Sequence, residues 1–367
     1  MASTDLETQS GSNITAMNRF GSLSPLDNAL TTLHGFHSEY RNGLSDHGPM
    51  VIEALDRIGR QDAIAPWLER YLGRLDPLEP NEDAGPLASL DPLDPWSTIR
   101  SETEWIAYFV QAVEELGWQE TIAAWVPRLT PALPTAAAHG VLRASHAVRG
   151  LGRGDSPARR HELARGCAYW AWRREELPAL ECGGGLTTLQ ALAGIRVPPA
   201  DSPDALTGMI SDRLRGVATS EFLTSVQAVS LPRNPAEALT EVVTTAGVAL
   251  YSAPPSGRFA ILHGLTSAIA VRDLLPFLSD TEATRLVEFS WATVAALWAS
   301  YSVGADLKAE LCSEVPTTDA LLERAVNNGD EHAIKVATAV WSEELASATE
   351  RPDLRAAADS GLQLFGA

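Results

Sequence analysis

Apolar residues along this chain recur at helical spacing almost from end to end. Leu26, Ala29, Leu30 and Leu33 follow the i, i+3, i+4, i+7 pattern, which predicts an amphipathic helix within 26–40. Asp46, Gly48 and Pro49 then form a helix start, and Val51, Ala54, Leu55 and Ile58 continue it as a buried stripe. A further helix passes through Trp67, Tyr71 and Leu75, and others are predicted over 102–117, 119–133, 136–149, 259–277 and 282–301, with a last long helix carrying Ile334, Ala337, Trp341 and Leu345 as its stripe. Prolines 77, 80, 86, 92 and 95 forbid a sustained helix over 76–98, so that stretch reads as a long acidic surface loop. Residues 177–203 read as a Pro/Gly-rich connection, and 1–24, rich in Ser, Thr and Asn, as a loose polar leader. No segment alternates with period two between turns, which predicts no sheet. The expected architecture is all-α: one compact multi-helix domain over 25–367.

Several of these helices carry histidine on the side away from the apolar stripe. Opposite Val141, Ala144, Val148 and Leu151 lie His139, Arg143 and His146 with the small Ala136. His263 shares its side with Thr266 and Ala270, while Leu262, Leu265 and Ile269 point elsewhere; His332 and Lys335 lie across from the last stripe with Ala339 and Ser342. Small residues beside each histidine leave room for a polar cavity. His47 stands at a helix N-terminus, where the dipole favours a neutral imidazole, which suits a metal ligand and equally an ordinary capping residue.

The positive charge of the chain is nearly all arginine. Of 28 Lys plus Arg only Lys308 and Lys335 are lysine, leaving 28 − 2 = 26 arginines. A lysine kept against that bias can do what arginine cannot, which is to lose its proton. A neutral ε-amine reacts with carbon dioxide to give a carbamate, an anionic oxygen donor on a long arm. His332 and Lys335, three residues apart on one helix face, could reach a common point.

Composition removes whole classes of function. The formal charge of −19 repels phosphate backbones and anionic lipid surfaces, so neither nucleic acid nor a membrane is an expected partner. No apolar run is long enough to span a bilayer. Cys167, Cys182 and Cys312 are odd in number, far apart and without a CxxC pair, which argues against a disulfide framework or a thiolate metal site and for a reducing cytoplasm. The glycine runs Gly150-Leu-Gly-Arg-Gly154 and Gly183-Gly184-Gly185 neither follow a strand nor open a helix, as a dinucleotide fingerprint requires.

Four motifs in order, Asp46-His47-Gly48-Pro49-Met50 followed by Glu53-Ala54-Leu55, Ala138-His139-Gly140-Val141-Leu142-Arg143, Leu262-His263-Gly264-Leu265-Thr266 and His332-Ala333-Ile334-Lys335, resemble the questin oxidase-like family over roughly residues 25–345. The resemblance implies an all-α oxygenase of anthraquinone-like polycyclic aromatic polyketides in secondary metabolism, using dioxygen at a non-haem Fe(II) site of histidines and a carbamylated lysine. By position His47, His139, His263 and His332 match the family's histidines and Lys335 its lysine. Arg143 replaces a histidine that fungal members tend to carry one turn after the His139 position, so either His139 or His146 is left to face the metal. Ligand chemistry argues the same way: imidazoles joined by a hard anionic oxygen favour iron or manganese, and five protein ligands exceed a tetrahedral structural zinc.

Blander readings stand beside these. Lys335 could be a solvated cation, and any single histidine a hydrogen-bonded core residue. His34 and His37, three apart, could supply a ligand pair, whereas His161 among Arg159, Arg160 and Glu162 reads as surface and Trp291, Trp298 and Tyr301 read as core packing. Arg143 supports a ligand, contacts a substrate phenolate or forms a buried ion pair. Three functions follow: the iron oxygenase acting on a small aromatic substrate, an NADPH- or flavin-dependent Baeyer–Villiger-type monooxygenase, and a non-catalytic binder of an aromatic metabolite.

Overall fold

The computed structural model describes residues 23–79, 95–196, 198, 206–308 and 314–366. Among them the chain forms sixteen α-helices and one two-stranded hairpin, so the fold is all-α and compact. Chain order is α1 (Pro25–Leu33), the hairpin β1 (Glu39–Tyr40) and β2 (Leu44–Ser45), then α2 (Gly48–Arg57), α3 (Ile64–Leu72), α4 (Glu102–Leu116), α5 (Trp118–Leu129), α6 (Thr135–Arg153) and α7 (Pro157–Trp172). The second half comprises α8 (Thr188–Gly194), α9 (Ile210–Val217), α10 (Ser220–Gln227), α11 (Pro235–Ser252), α12 (Pro255–Val271), α13 (Asp280–Tyr301), α14 (Thr318–Asn328), α15 (Glu331–Ser347) and α16 (Pro352–Leu362).

Local chemistry sets the helix starts that matter. Asp330 caps α15, its Oδ1 accepting from the backbone N–H of His332 at 2.8 Å and of Ala333 at 3.3 Å. That cap places His332 and Lys335 in the first turns of α15. Ser101 with Glu104 and Ser279 with Glu282 form capping boxes at α4 and α13. Helices α12, α13 and α15 are buried on nearly all faces for most of their length, as centrally packed helices must be. Around them α6 packs on α2 and α12, and α15 packs on α12 and α2, which closes a ring of four helices.

Glycines let outer helices press closely against two members of that ring. A Cβ on Gly140 would stand 2.8 Å from Trp170 and 2.9 Å from its Cα, so this residue must be glycine for α6 to reach α7, and one on Gly48 would stand 2.7 Å from the Leu33 side chain of α1.

Three departures from the sequence pattern have local causes. The first helix stops at Leu33, and Tyr40 belongs to the hairpin, whose turn uses left-handed Arg41 and Asn42 before Gly43; a two-residue ladder is too short to show alternation. The 177–203 connection contains α8, started by a Thr187–Gln190 capping box. The predicted helix over 136–149 is not regular at its start: Ala136, Ala137 and Ala138 all have positive φ, of 50°, 57° and 65°. Left-handed alanines cost about 1–2 kcal/mol each, so the surrounding packing imposes this turn.

Of the predicted acidic loop, residues 80–94 lie outside the described residues, and its ends are docked. Pro77 bridges to Phe36, and Trp96 donates its indole N–H to Ala171 O at 3.2 Å. Of the predicted leader, 1–22 lie outside the described residues, while Ser24 caps α1. Cys167 is buried with its thiol pushed up to about 12, Cys182 is half-buried and free, and Cys312 is not described. No described helix is long and apolar enough to cross a membrane.

Candidate metal centre

The four-helix ring delivers one histidine from each member to a common point. His47 is the residue immediately before α2; His139 follows the left-handed turn of α6; His263 sits midway along α12; His332 opens α15. Ring centroids are 4.6 Å apart for His47 and His139, 5.0 Å for His139 and His263, 5.4 Å for His263 and His332, and 4.5 Å for His332 and His47. The contacts run round the same circuit as the helices. Lys335 completes the group, its Nζ 3.4 Å from Nε2 of His139. All five side chains are buried.

An oxygen stands near Nδ1 of every ring. His139 Nδ1 lies 2.6 Å from Ala136 O, and His263 Nδ1 3.0 Å from Phe259 O. His332 Nδ1 lies 3.5 Å from Asp330 Oδ1, and His47 Nδ1 3.9 Å from Glu331 Oε1. A carbonyl can only accept, so Nδ1 of His139 and His263 carries the proton and Nε2 keeps its lone pair. The left-handed alanine turn thereby has a purpose: it aims Ala136 O at His139. With His139 Nε2 an acceptor, Lys335 is the donor in their contact.

Electrostatics keep the group neutral. Burial, reinforced by Lys335 and the neighbouring rings, holds the His47, His139 and His263 imidazoles well below their ordinary range, and burial lowers His332 against the pull of Asp330. Burial also brings the Lys335 ammonium down to about 7, against the opposing carboxylates of Glu331 and Asp330. Lone pairs at neutral pH are what a metal needs of imidazole. His47 Nδ1 is buried with no hydrogen-bond partner, a polar atom that the protein leaves unsatisfied. The donor set therefore fits a divalent transition metal.

Sequence reasoning missed the carboxylate here. Glu331, with His47 and His332, forms a triad whose ligand atoms lie within 4.8 Å of one another, and Arg74 clamps that carboxylate with two contacts of 3.1 Å. The signal was an acid immediately before His332, legible only once the helix was known to start there. Tyr71 was also missed; its hydroxyl accepts from the His47 backbone N–H at 2.6 Å.

The four histidines form the floor of a cavity of about 580 Å³. Phe259 lies 4.7 Å from His332, centroid to centroid, and Phe365 stacks on the same imidazole at 5.7 Å and 14°. Tyr40 and Leu44 of the hairpin, with Met209 and Ile210 at the start of α9, line the cavity from the opposite side.

Arg143 and His146 do not reach this cavity. Arg143 donates Nε to Glu162 Oε1 at 2.6 Å, Nη2 to Oε2 at 3.1 Å and Nη1 to Ser38 Oγ at 2.9 Å. His146 Nδ1 lies 2.7 Å from Glu53 Oε2. Of the alternatives for Arg143, the geometry matches the buried ion pair; of His139 and His146, it is His139 that faces Lys335. His37 contacts Glu102, and His34 stacks on His161 at 4.4 Å beside Glu162, so His161 is half-buried where the sequence suggested surface. Trp291 and Trp298 are core residues as expected.

A model of the family described as Questin oxidase-like matches residues 186–340, which include His263, His332 and Lys335. The match supports the family that the four motifs pointed to, and the family's name suggests an oxidase of aromatic polyketide metabolism. No curated protein matches the chain.

Proposed function

We propose that this questin oxidase-like chain is an iron-dependent oxygenase that oxidises or cleaves a ring of a polycyclic aromatic polyketide with dioxygen. The observation that carries the reading is the convergence of four imidazoles on the floor of a cavity with aromatic walls, with one deprotonable lysine in contact with His139. His47, His139, His263 and His332 would hold the metal, and Lys335 would join them as a carbamate. Carbamate formation would join Nζ to the carbon of carbon dioxide and release one proton, and burial favours it by bringing the ammonium down to about 7, so that a large share of the amine is neutral near that pH. Ferrous iron held there would supply the one-electron chemistry by which dioxygen oxidises a closed-shell aromatic.

The remaining work falls to the protein. The carbonyls of Ala136 and Phe259 accept from Nδ1 of His139 and His263, fixing those two rings with Nε2 free to bind. Phe259 and Phe365 offer ring faces against which a flat substrate lies beside the histidines. A cavity of about 580 Å³ lies within the range of small-molecule sites and can exclude water around a fused-ring substrate.

Protein purified anaerobically without chelators tests the reading. It should carry about one iron per chain and consume dioxygen with a hydroxylated anthraquinone, and Lys335→Ala and Lys335→Arg should both lose the iron while remaining folded. Folded protein that binds no iron, or a Lys335→Arg variant that keeps it, overturns the reading.

A further inference from the structure

Four carboxylates line the cavity, and three are already engaged. Glu39 accepts from Tyr169 at 3.0 Å and from Arg173 at 2.8 Å; Asp330 caps α15; Glu331 is clamped by Arg74. Glu175 is the fourth, and among the described residues its carboxylate makes no side-chain hydrogen bond. Its nearest charged neighbour is Arg215, whose Nε lies 3.9 Å away and which also pairs with Asp212.

The backbone, by contrast, holds Glu175 firmly. Its N–H donates to Thr135 Oγ1 at 3.0 Å, and Leu177 N–H donates to Pro131 O at 2.8 Å, which pins this strap to the start of α6. Thr135 is fully buried and immediately precedes the left-handed alanines that aim Ala136 O at His139. One turn therefore holds both the His139 imidazole and the backbone of Glu175, and its Ala136 and Ala137 also line the cavity.

We propose that Glu175 forms a hydroxyl-recognising subsite of the cavity, accepting a hydrogen bond from a phenolic hydroxyl of the aromatic ligand and excluding ligands that place a carboxylate there. The subsite rests on the aromatic-cavity reading above. A carboxylate that is half-buried and lacks a donor gains most from a ligand that brings one, and loses most to a ligand that brings a second negative charge. Consistent with that setting, burial raises the Glu175 carboxyl above its ordinary value, with Arg215 opposing. Asp212, Arg173 and Glu39 are the other charges that act on it.

The test compares 2-hydroxyanthraquinone with anthraquinone-2-carboxylate, two ligands that differ at one position and do not chelate a metal, by quenching of tryptophan fluorescence in the full-length, metal-loaded protein. It is run below the phenol's own ionisation. Wild type should bind the hydroxyl ligand at least about tenfold more tightly than the carboxylate. Glu175→Gln, isosteric and neutral, should shrink that preference about tenfold, and Glu175→Leu should remove it, with unchanged circular dichroism in both. An equal preference in wild type and Glu175→Gln overturns the subsite while leaving the cavity reading intact. Binding of neither ligand to wild type overturns the cavity reading and the subsite together.

Discussion

Two groups of buried polar side chains meet along α6, and they are built on opposite plans. On one side Arg143 is matched to Glu162 and Ser38, and Glu53 to His146 with Arg149 at 3.5 Å and Arg153 at 3.6 Å, so every charge has an opposite charge against it. On the other side four imidazoles and an amine face one another, each held below its ordinary range by burial, with Asp330 and the Arg74-clamped Glu331 only at their edge. The first group is charge-matched as it stands. The second consists of lone pairs gathered at one point, and such an arrangement stabilises nothing until a cation joins it.

Breaking each group should separate the two plans. The largest effect on stability is expected from Arg143→Met, which strands Glu162 in the interior; the cost should be about 3–5 kcal/mol in urea denaturation. Iron content and turnover per folded molecule should be unchanged, and a selective loss of turnover would return Arg143 to the chemistry. His263→Ala should alter the metal-free stability by less than about 2 kcal/mol yet abolish the rise in Tm that iron gives wild type.

Acid and alkali should act on different groups. Burial alone would raise Glu53 and Glu162, but Arg149 and His146 outweigh it for the first, and Arg143 and His34 for the second, bringing both to about 2 from 4.5. Their contribution to stability is therefore present above about pH 4.5 and is lost as the pH falls toward about 2. Lys335 has the same sign in a higher window. Between about 7 and 10.5 the unfolded chain holds its proton and the folded chain does not, so raising the pH through that window favours the folded state. Metal-free Lys335→Met should lack that rise, and an identical alkaline profile for variant and wild type would contradict the depressed lysine. The smallest effect should come from Ala137→Gly, which relieves one left-handed alanine: metal-free stability should rise by about 1 kcal/mol or less, while iron binding weakens as the turn loses its hold on His139.

Much of this site could be read before the fold was known, and the reasons are physical. Helical periodicity exposed the helices because their buried stripes repeat, and His263, His332 and Lys335 stood out because they lie on regular helices beside small residues. The lysine was visible through the arginine bias of the whole chain. What escaped depended on geometry that no periodicity encodes. The three alanines at 136–138 looked like ideal helix formers, yet all three are left-handed, in a turn flanked by the Glu175–Thr135 hydrogen bond and by the close approach of Gly140 to Trp170 of α7. Arg143 and His146 shared the polar side of α6 with His139, yet the broken first turn aims His139 at the cavity while the other two face carboxylates on α7 and α2. Trp341 and Leu345 continued the apolar stripe of α15, but Leu345 is 58% exposed and Trp341 lies under the guanidinium of Arg57, because the helix end emerges from the core.

X-ray absorption at the iron edge of anaerobically loaded protein is the most direct test of the gathered lone pairs. Wild type should show the multiple-scattering signature of several imidazoles together with an oxygen donor. That oxygen contribution should disappear in whatever residual iron Lys335→Met retains, and the imidazole signal should weaken in His263→Ala. Iron surrounded by water oxygens alone, or a spectrum indifferent to both substitutions, would contradict the account.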